Sequence, residues 1–172
     1  MKPFVILGAP RSRTFWLSQF LSSPRRRVEH EPSRRLRSRD EVRAYFSTPN
    51  AAAADTGLGK VWKQLDIPGV TTVVVHRPAS EIIGSLRQIG ASTRGIEHYT
   101  LMLWGLPGHH VNVADLDNEN FANDLYRLCT EREPPPGHWK ALIGQNLQCD
   151  IATLLRDMRG NVDGLRAIYE GV

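Results

Sequence analysis

Residues 4–17 read FVILGAPRSRTFWL, and this stretch decides the fold. Its first four residues, Phe4 to Leu7, are apolar, which is typical of a parallel strand buried on both faces. Gly8 ends the run, and a polar loop with two arginines follows. From Thr14 onward, large apolar residues recur at helical spacing, so a helix is predicted to begin there. A strand, a short polar loop and a helix in this order are typical of a loop that holds a phosphate.

The same loop is suited to anions and lacks the residues that hold a metal. The free N–H groups of a helix start carry partial positive charge, and Arg11 and Arg13 add full charges beside them. When the nucleotide-hydrolase pattern G-x-x-x-x-G-K-[ST] is counted from Gly8, its lysine position holds Thr14 and its magnesium-binding position holds Phe15. The sequence therefore predicts neither ATP or GTP hydrolysis nor a bound metal.

The loop resembles the 5′-phosphosulfate loop of the sulfotransferase family, which commonly reads G-x-P-[KR]-S-G-T-T-W-L. The matching residues are Gly8, Pro10, Arg11, Ser12, Thr14, Trp16 and Leu17. Arg13 stands where the family has a glycine, and Phe15 replaces a threonine. Arg13 is the larger departure, because glycine allows a close backbone approach and a positive φ. The resemblance implies that the donor nucleotide is bound by Gly8, Pro10, Arg11, Ser12, Arg13, Thr14, Phe15 and Trp16.

A second stretch resembles the part of that family that holds the 3′-phosphate of the nucleotide. Residues 70–76 read VTTVVVH, a β-branched run typical of an interior strand, and a helix is predicted over residues 79–88. Arg77 follows the strand and Ser85 comes eight residues later, the spacing of R-x-P-x-x-x-x-x-S in the family. Pro78 follows the arginine directly instead of one residue later. The alternative is a solvated arginine at a strand end and a neutral serine on a helix surface.

A third stretch, residues 132–140, resembles the family's C-terminal pattern R-K-G-x-x-G-x-W-K, which closes over the nucleotide. Arg132, Gly137, Trp139 and Lys140 fall at matching positions, so the resemblance implies that Lys140 binds the nucleotide. Three consecutive prolines in this stretch also favour a stiff connector, with Trp139 anchoring the next helix. Both interpretations remain open from the sequence.

The resemblance implies transfer of a sulfuryl group from 3′-phosphoadenosine 5′-phosphosulfate, as co-substrate, to a hydroxyl or amine acceptor. Arg11 is then expected to stabilise charge on the leaving phosphate. His30, with Glu31 beside it, is the candidate general base, because a second strand predicted over Arg27 to Glu31 ends near the first loop. A surface or structural role for this histidine is the alternative. The alternative function is a catalytically altered module that binds a nucleotide or a protein on the same fold, favoured by Arg13 and the small size.

Strands that alternate with helices predict an α/β fold with three layers, in which a central parallel sheet lies between helices. The resemblance makes this a P-loop NTPase-like, sulfotransferase-like domain over residues 1–172, similar to the compact bacterial and phage-type members. Further predictions are a strand over His110 to Ala114 and a loop over Asn50 to Gly59. The remaining helices are predicted over Asp40 to Phe46, Ile96 to Leu106, Glu119 to Cys129 and, with a break near Gly160, Ile151 to Tyr169.

Charge and composition limit the expected partners. The net charge is +4, and many arginines lie between residues 25 and 43, interleaved with acids. This run is typical of a solvated face, and some of its arginines are candidates for steering an anion toward the site. Nucleic acid is an unexpected partner, because the run lacks interleaved aromatic residues and a known binding motif. No sequence pattern indicates the oligomeric state.

The apolar runs and the cysteines predict an intracellular protein. No apolar run approaches the ~18 residues that cross a bilayer, and the N-terminal apolar run meets Pro-Arg-Ser-Arg at once, unlike a secretory signal. Cys129 and Cys149 show no metal-type spacing with histidine, so reduced thiols are expected. The expected compartment is the cytoplasm, without membrane partners.

Overall fold

The computed structural model describes residues 1–145, which form a parallel β-sheet with helices on both faces. The strands are β1 (Phe4–Gly8), β2 (Glu29–His30), β3 (Ala52–Asp55), β4 (Thr71–His76) and β5 (His109–Asn112). The helices are α1 (Thr14–Phe20), α2 (Arg39–Ser47), α3 (Trp62–Leu65), α4 (Ala79–Gln88), α5 (Ile96–Trp104), α6 (Glu119–Thr130) and α7 (His138–Ile143). Short 3₁₀ turns span Pro32–Arg34, Leu58–Lys60 and Val113–Asp117.

The sheet has the order β2-β3-β1-β4-β5 within the described residues, and every neighbouring pair is parallel. Strand β1 is central and pairs with β3 on one edge and with β4 on the other. All five residues of β1 are buried, as its unbroken apolar pattern predicts. The predicted α/β fold with a central parallel sheet is therefore confirmed.

The two faces of β1 belong to separate hydrophobic cores, because side chains alternate along a strand. Val5 and Leu7 pack with residues of α2, α3, α4 and α5. Phe4 and Ile6 pack with residues of α1, α6 and α7. The sheet is thus the middle of three layers. The helix after β1 covers one face, whereas the helices after β3 and β4 cover the other, and such a switch opens a crevice at the carboxyl ends of the strands.

Several predicted boundaries are corrected by the structure. The predicted loop over residues 50–59 contains β3, whose sequence Ala-Ala-Ala-Asp is fully buried beside β1. Alanine has little β propensity, so only the tertiary pairing explains this strand. The second strand is shorter than predicted and covers only Glu29–His30, and β5 ends at Asn112 before a 3₁₀ turn. The prediction for residues 151–169 and the second cysteine lie outside the described residues.

Within residues 1–145, no helix is long and apolar enough to cross a membrane.

Cys129 is a buried free thiol, and burial raises its pKa to about 12, so it stays protonated near neutral pH.

The predicted solvated arginine run contains one buried member, Arg26, which is only 3% exposed. Its Nε donates to the carbonyl of Asn50 at 3.1 Å, and its terminal nitrogens donate to the carbonyls of Lys2, Ala51 and Cys129. Its guanidinium also lies over the ring of Phe4, 4.5 Å from the centroid. This side chain therefore satisfies carbonyls that precede β1 and β3 together with one near the end of α6. The expectation of a wholly solvated run is wrong at this residue.

We expect Arg26→Met to lower the free energy of unfolding by about 3 kcal/mol, because the carbonyls of Lys2, Asn50, Ala51 and Cys129 lose the donors of the guanidinium. Urea denaturation followed by circular dichroism measures the change. Arg27→Met is the matched control, since Arg27 is exposed and its loss should cost less than about 0.5 kcal/mol. Equal stability of the two variants would show that the buried guanidinium contributes nothing.

Candidate anion-binding site at the carboxyl end of the sheet

The loop after β1 has an unusual backbone. Arg11 and Arg13 both adopt the left-handed conformation, with φ of 68° and 58°. Non-glycine residues in this region cost about 1–3 kcal/mol each and are found where the surrounding structure holds them. The amide of Ser12 donates to the carbonyl of Ala9 at 3.2 Å, and Pro10 lies between them, so the chain turns sharply here. The glycine that the family has at position 13 suits this φ, and Arg13 adopts it nonetheless.

Gly8 lets the loop fold back over the end of β1. A Cβ atom at this position would lie 3.2 Å from Cγ2 of Thr14 and 3.5 Å from Cβ of Ser12. The first of these distances is tighter than ordinary packing, so a larger residue would push the start of α1 away from the strand. The match of this glycine to the loop pattern therefore has a steric reason in this chain.

The two stretches that carry the resemblance meet in one hydrogen-bond network. Arg77 donates from a terminal nitrogen to the carbonyl of Arg11 at 2.6 Å. Arg11 in turn donates from Nε to the hydroxyl oxygen of Ser85 at 2.8 Å. The pairing of Gly8 with Val75 in the β1–β4 register explains the contact, because Arg77 then follows β4 directly beside the loop. The structure thus brings Arg11, Arg77 and Ser85 together.

The two ends of this network differ in what they offer an anion, because Ser85 keeps a hydroxyl proton whereas Arg77 is paired with a carboxylate. Ser85 accepts the bond from Arg11 through its oxygen, so its own hydroxyl proton stays available to donate. Arg77 is 26% exposed and forms an ion pair with Glu81, one turn along α4, at 3.0 Å. Sequence analysis did not identify Glu81, although its spacing of four residues from Arg77 is one at which helix neighbours pair.

Ser12 supplies a buried polar atom that the protein itself does not satisfy. Its side chain is fully buried, and its Oγ has no hydrogen-bond partner among residues 1–145. A buried hydroxyl without a partner costs about 1–3 kcal/mol, so such atoms are rare in the absence of a function. Thr14, the first residue of α1, is also nearly buried at 4% exposed. The loop and the start of α1 therefore contain two buried hydroxyl side chains.

Arg13 points to a different partner. One of its terminal nitrogens lies 2.7 Å from a carboxylate oxygen of Asp117, at the end of the 3₁₀ turn after β5. The two side chains are 34% and 60% exposed. No feature of the sequence indicated Asp117, because the contact joins residues 104 positions apart.

His30 lies beside the loop, as the prediction of its strand requires. Its ring meets the ring of Phe15 edge to face, with centroids 5.1 Å apart. Burial, reinforced by the charge of Arg34, lowers the pKa of His30 to about 4, so the imidazole is neutral near pH 7. Its Nε2 is 3.7 Å from a carboxylate oxygen of Glu31. A neutral imidazole can accept a proton, although a low pKa makes it a weak base.

Two buried carboxylates fix the backbone around His30. Glu31 is 4% exposed and accepts the amide of Thr56 at 3.1 Å. Asp55, fully buried at the end of β3, accepts the amides of Gly57 and Leu58 with one oxygen and that of Ser33 with the other. These bonds join the segments that follow β2 and β3. Glu31 thus has a structural role in joining these segments. Its predicted position beside His30, the candidate base, is a separate matter.

Trp16 and Lys140 lie apart from the network. The indole of Trp16 is 4% exposed, stacks on Phe20 and donates to the carbonyl of Leu142 at 3.1 Å, so it joins α1 to α7 in the core. Lys140 is exposed, and its Nζ lies 3.8 Å from Glu119. Within residues 1–145, neither side chain forms a hydrogen bond or ion pair with Arg11, Arg77 or Ser85. Their predicted contacts with the nucleotide remain predictions.

A second buried histidine ends β4, beside Arg77. His76 shares a hydrogen bond of 2.8 Å with His110, and the ring of Trp104 stacks on it at 3.6 Å between centroids. Because Nε2 of His110 donates to the carbonyl of Leu106, its Nδ1 accepts from Nε2 of His76. Burial, with a contribution from His110, lowers the pKa of His76 to about 4. His76 is therefore neutral near pH 7.

Comparison of the chain with protein-family models, curated proteins and solved structures found no match.

Proposed function

We propose that this protein transfers a sulfuryl group from 3′-phosphoadenosine 5′-phosphosulfate to a hydroxyl or amine acceptor, on a P-loop-like, sulfotransferase-like fold. The observation that carries the proposal is the network of Arg77, Arg11 and Ser85. It joins two motifs that lie 66 to 74 residues apart in the sequence, at the crevice where a parallel sheet binds ligands. The register of β1 and β4 brings the two strand ends together, and the side chains that bond there are arginines and a serine, which are suited to binding an anion.

The two motifs are assigned to the two charged ends of the nucleotide. The loop from Gly8 to Thr14 takes the 5′-phosphosulfate through its amides, the buried hydroxyl of Ser12 and the guanidinium of Arg11. Arg77 and the hydroxyl proton of Ser85 take the 3′-phosphate. Arg77 also braces the loop through the carbonyl of Arg11, so binding at one end supports the shape of the other.

The transfer itself needs charge stabilisation, a base and alignment. The acceptor oxygen or nitrogen forms a bond to sulfur while the bond from sulfur to the bridging phosphate oxygen breaks. The electron pair of that bond leaves on the 5′-phosphate, where the cations and N–H groups of the loop stabilise it. The acceptor proton passes to the imidazole of His30, which is neutral because burial depresses its pKa.

A nucleotide- or protein-binding module is the second candidate, and one observation favours it. Arg13 and Arg77 are each paired with a carboxylate of the protein, Asp117 and Glu81. Such pairing lowers the positive charge that acts on a leaving phosphate. Turnover separates the two functions. An enzyme converts the sulfonated donor to 3′-phosphoadenosine 5′-phosphate when it is given an acceptor, whereas a binding module leaves the donor unchanged.

We expect 3′-phosphoadenosine 5′-phosphate to raise the melting temperature of the protein, with ATP and GTP giving smaller shifts. Arg77→Ala should weaken binding of this nucleotide about tenfold or more, because it removes a charged donor and the brace on the loop. Arg87→Ala, which removes an exposed arginine of α4, the helix that follows Arg77, is the matched control and should leave the affinity unchanged. Indifference of the wild type to the nucleotide would refute the proposed function.

We expect His30→Gln to lower the rate of sulfuryl transfer to simple phenols or amines by about 10²- to 10⁴-fold, with nucleotide affinity preserved. The wild-type rate should stay level as the pH falls from 7 and decline only near pH 4, because the depressed pKa keeps the imidazole neutral above that value. A titration by ¹⁵N nuclear magnetic resonance, with His30→Gln used to assign the signal, measures the pKa without an acceptor. An apparent pKa near 6.5 would refute the depressed pKa and the level pH profile, and full activity of the variant would remove His30 as the base.

A further inference from the structure

Arg13 and Asp117 differ in how firmly their surroundings hold them. The backbone of Arg13 is fixed, because its carbonyl accepts the first bond of α1, from the amide of Leu17 at 2.9 Å. Its guanidinium is partly exposed and bonds only Asp117 within residues 1–145. The long side chain can therefore change partner while the loop keeps its shape.

Asp117, in contrast, lies on a short rigid segment. The 3₁₀ turn before it begins with a reciprocal pair of caps between Asn112 and Asp115. The next residue, Asn118, accepts the amides of Asn120 and Phe121 and so caps α6. Asp117 lies between two capped elements, so its backbone is held close to the loop.

An exposed ion pair of this kind is weak, and one of its members lies beside the proposed binding site. Exposed pairs contribute about 0.2–1 kcal/mol, which is a factor of about 1.4 to 5 in an equilibrium. A ligand that places a doubly charged group in the loop offers Arg13 a stronger partner. The same group is repelled by the carboxylate of Asp117.

We propose that Asp117 is a counter-ion that competes with the 5′ end of the nucleotide for Arg13, and that this pair selects ligands carrying a charged group at that end. The proposal rests on the function proposed above and adds a specificity-determining pair to it. Arg13 exchanges the carboxylate for the 5′ group on binding. A nucleotide with only a 3′-phosphate leaves the ion pair intact and gains nothing from Arg13.

Calorimetric titration of Asp117→Asn tests this exchange. We expect this variant to bind 3′-phosphoadenosine 5′-phosphate about two- to fivefold more tightly than the wild type, because Arg13 is released and a repulsive charge is lost. Inorganic pyrophosphate should show the same gain, whereas adenosine 3′-phosphate should show none. In an Arg13→Gly background, which suits the left-handed backbone and removes only the cation, Asp117→Asn should lose its effect.

Asp124→Asn is the matched control, because it breaks another exposed arginine–aspartate pair and changes the net charge equally. It should leave all affinities unchanged. An unchanged or weaker affinity of Asp117→Asn, or an equal gain for adenosine 3′-phosphate, would overturn the exchange even if the wild type binds the nucleotide. A gain for pyrophosphate with no nucleotide binding by any variant would refute the proposed function and keep the exchange. Binding of no probe by any variant would refute both.

Discussion

The pairing of β1 with a strand on each side fixes the position of the loop that follows it. All five residues of β1 are buried, and its hydrogen bonds run to β3 on one edge and to β4 on the other. Gly8 therefore leaves the sheet at a defined height, opposite Val75. Arg77 emerges two residues beyond that pairing, so its contact with the loop follows from the register of the sheet rather than from the loop's own sequence.

The strain of the loop and its contacts have a common explanation. Two arginines in three residues adopt a left-handed backbone, which costs free energy that the loop alone cannot recover. The bonds from Arg77 to the Arg11 carbonyl and from Arg11 to Ser85 hold the loop in that shape. A loop held before the ligand arrives loses little entropy on binding, and its donors are already placed for an anion. The buried hydroxyl of Ser12, which has no hydrogen-bond partner among the described residues, destabilises the protein in the absence of a ligand.

The sequence contained the local parts of the site and lacked the partners that depend on tertiary structure. An unbroken apolar run placed β1, a β-branched run placed β4, and apolar residues at helical spacing placed the start of α1. The sequence did not predict the alanine strand β3, because alanine has a low β propensity and its pairing in the sheet depends on the neighbouring strands. Arg26 could not be told from its two neighbours, because its burial depends on carbonyls distant in the chain. Asp117 could not be identified from the sequence for the same reason, because its contact with Arg13 depends on the tertiary structure.

The paired charges of the site decide which anions suit it. The carboxylates of Asp117 and Glu81 are more than half exposed and form weak pairs with Arg13 and Arg77. A ligand with a single charged group can displace only one of these carboxylates. A ligand with two charged ends can displace both at once while its adenosine links the two events, so the second gain requires no further loss of rotational freedom. If the proposed function holds, we therefore expect a doubly phosphorylated nucleotide to bind more tightly than free phosphate or sulfate, each of which has a single charged group.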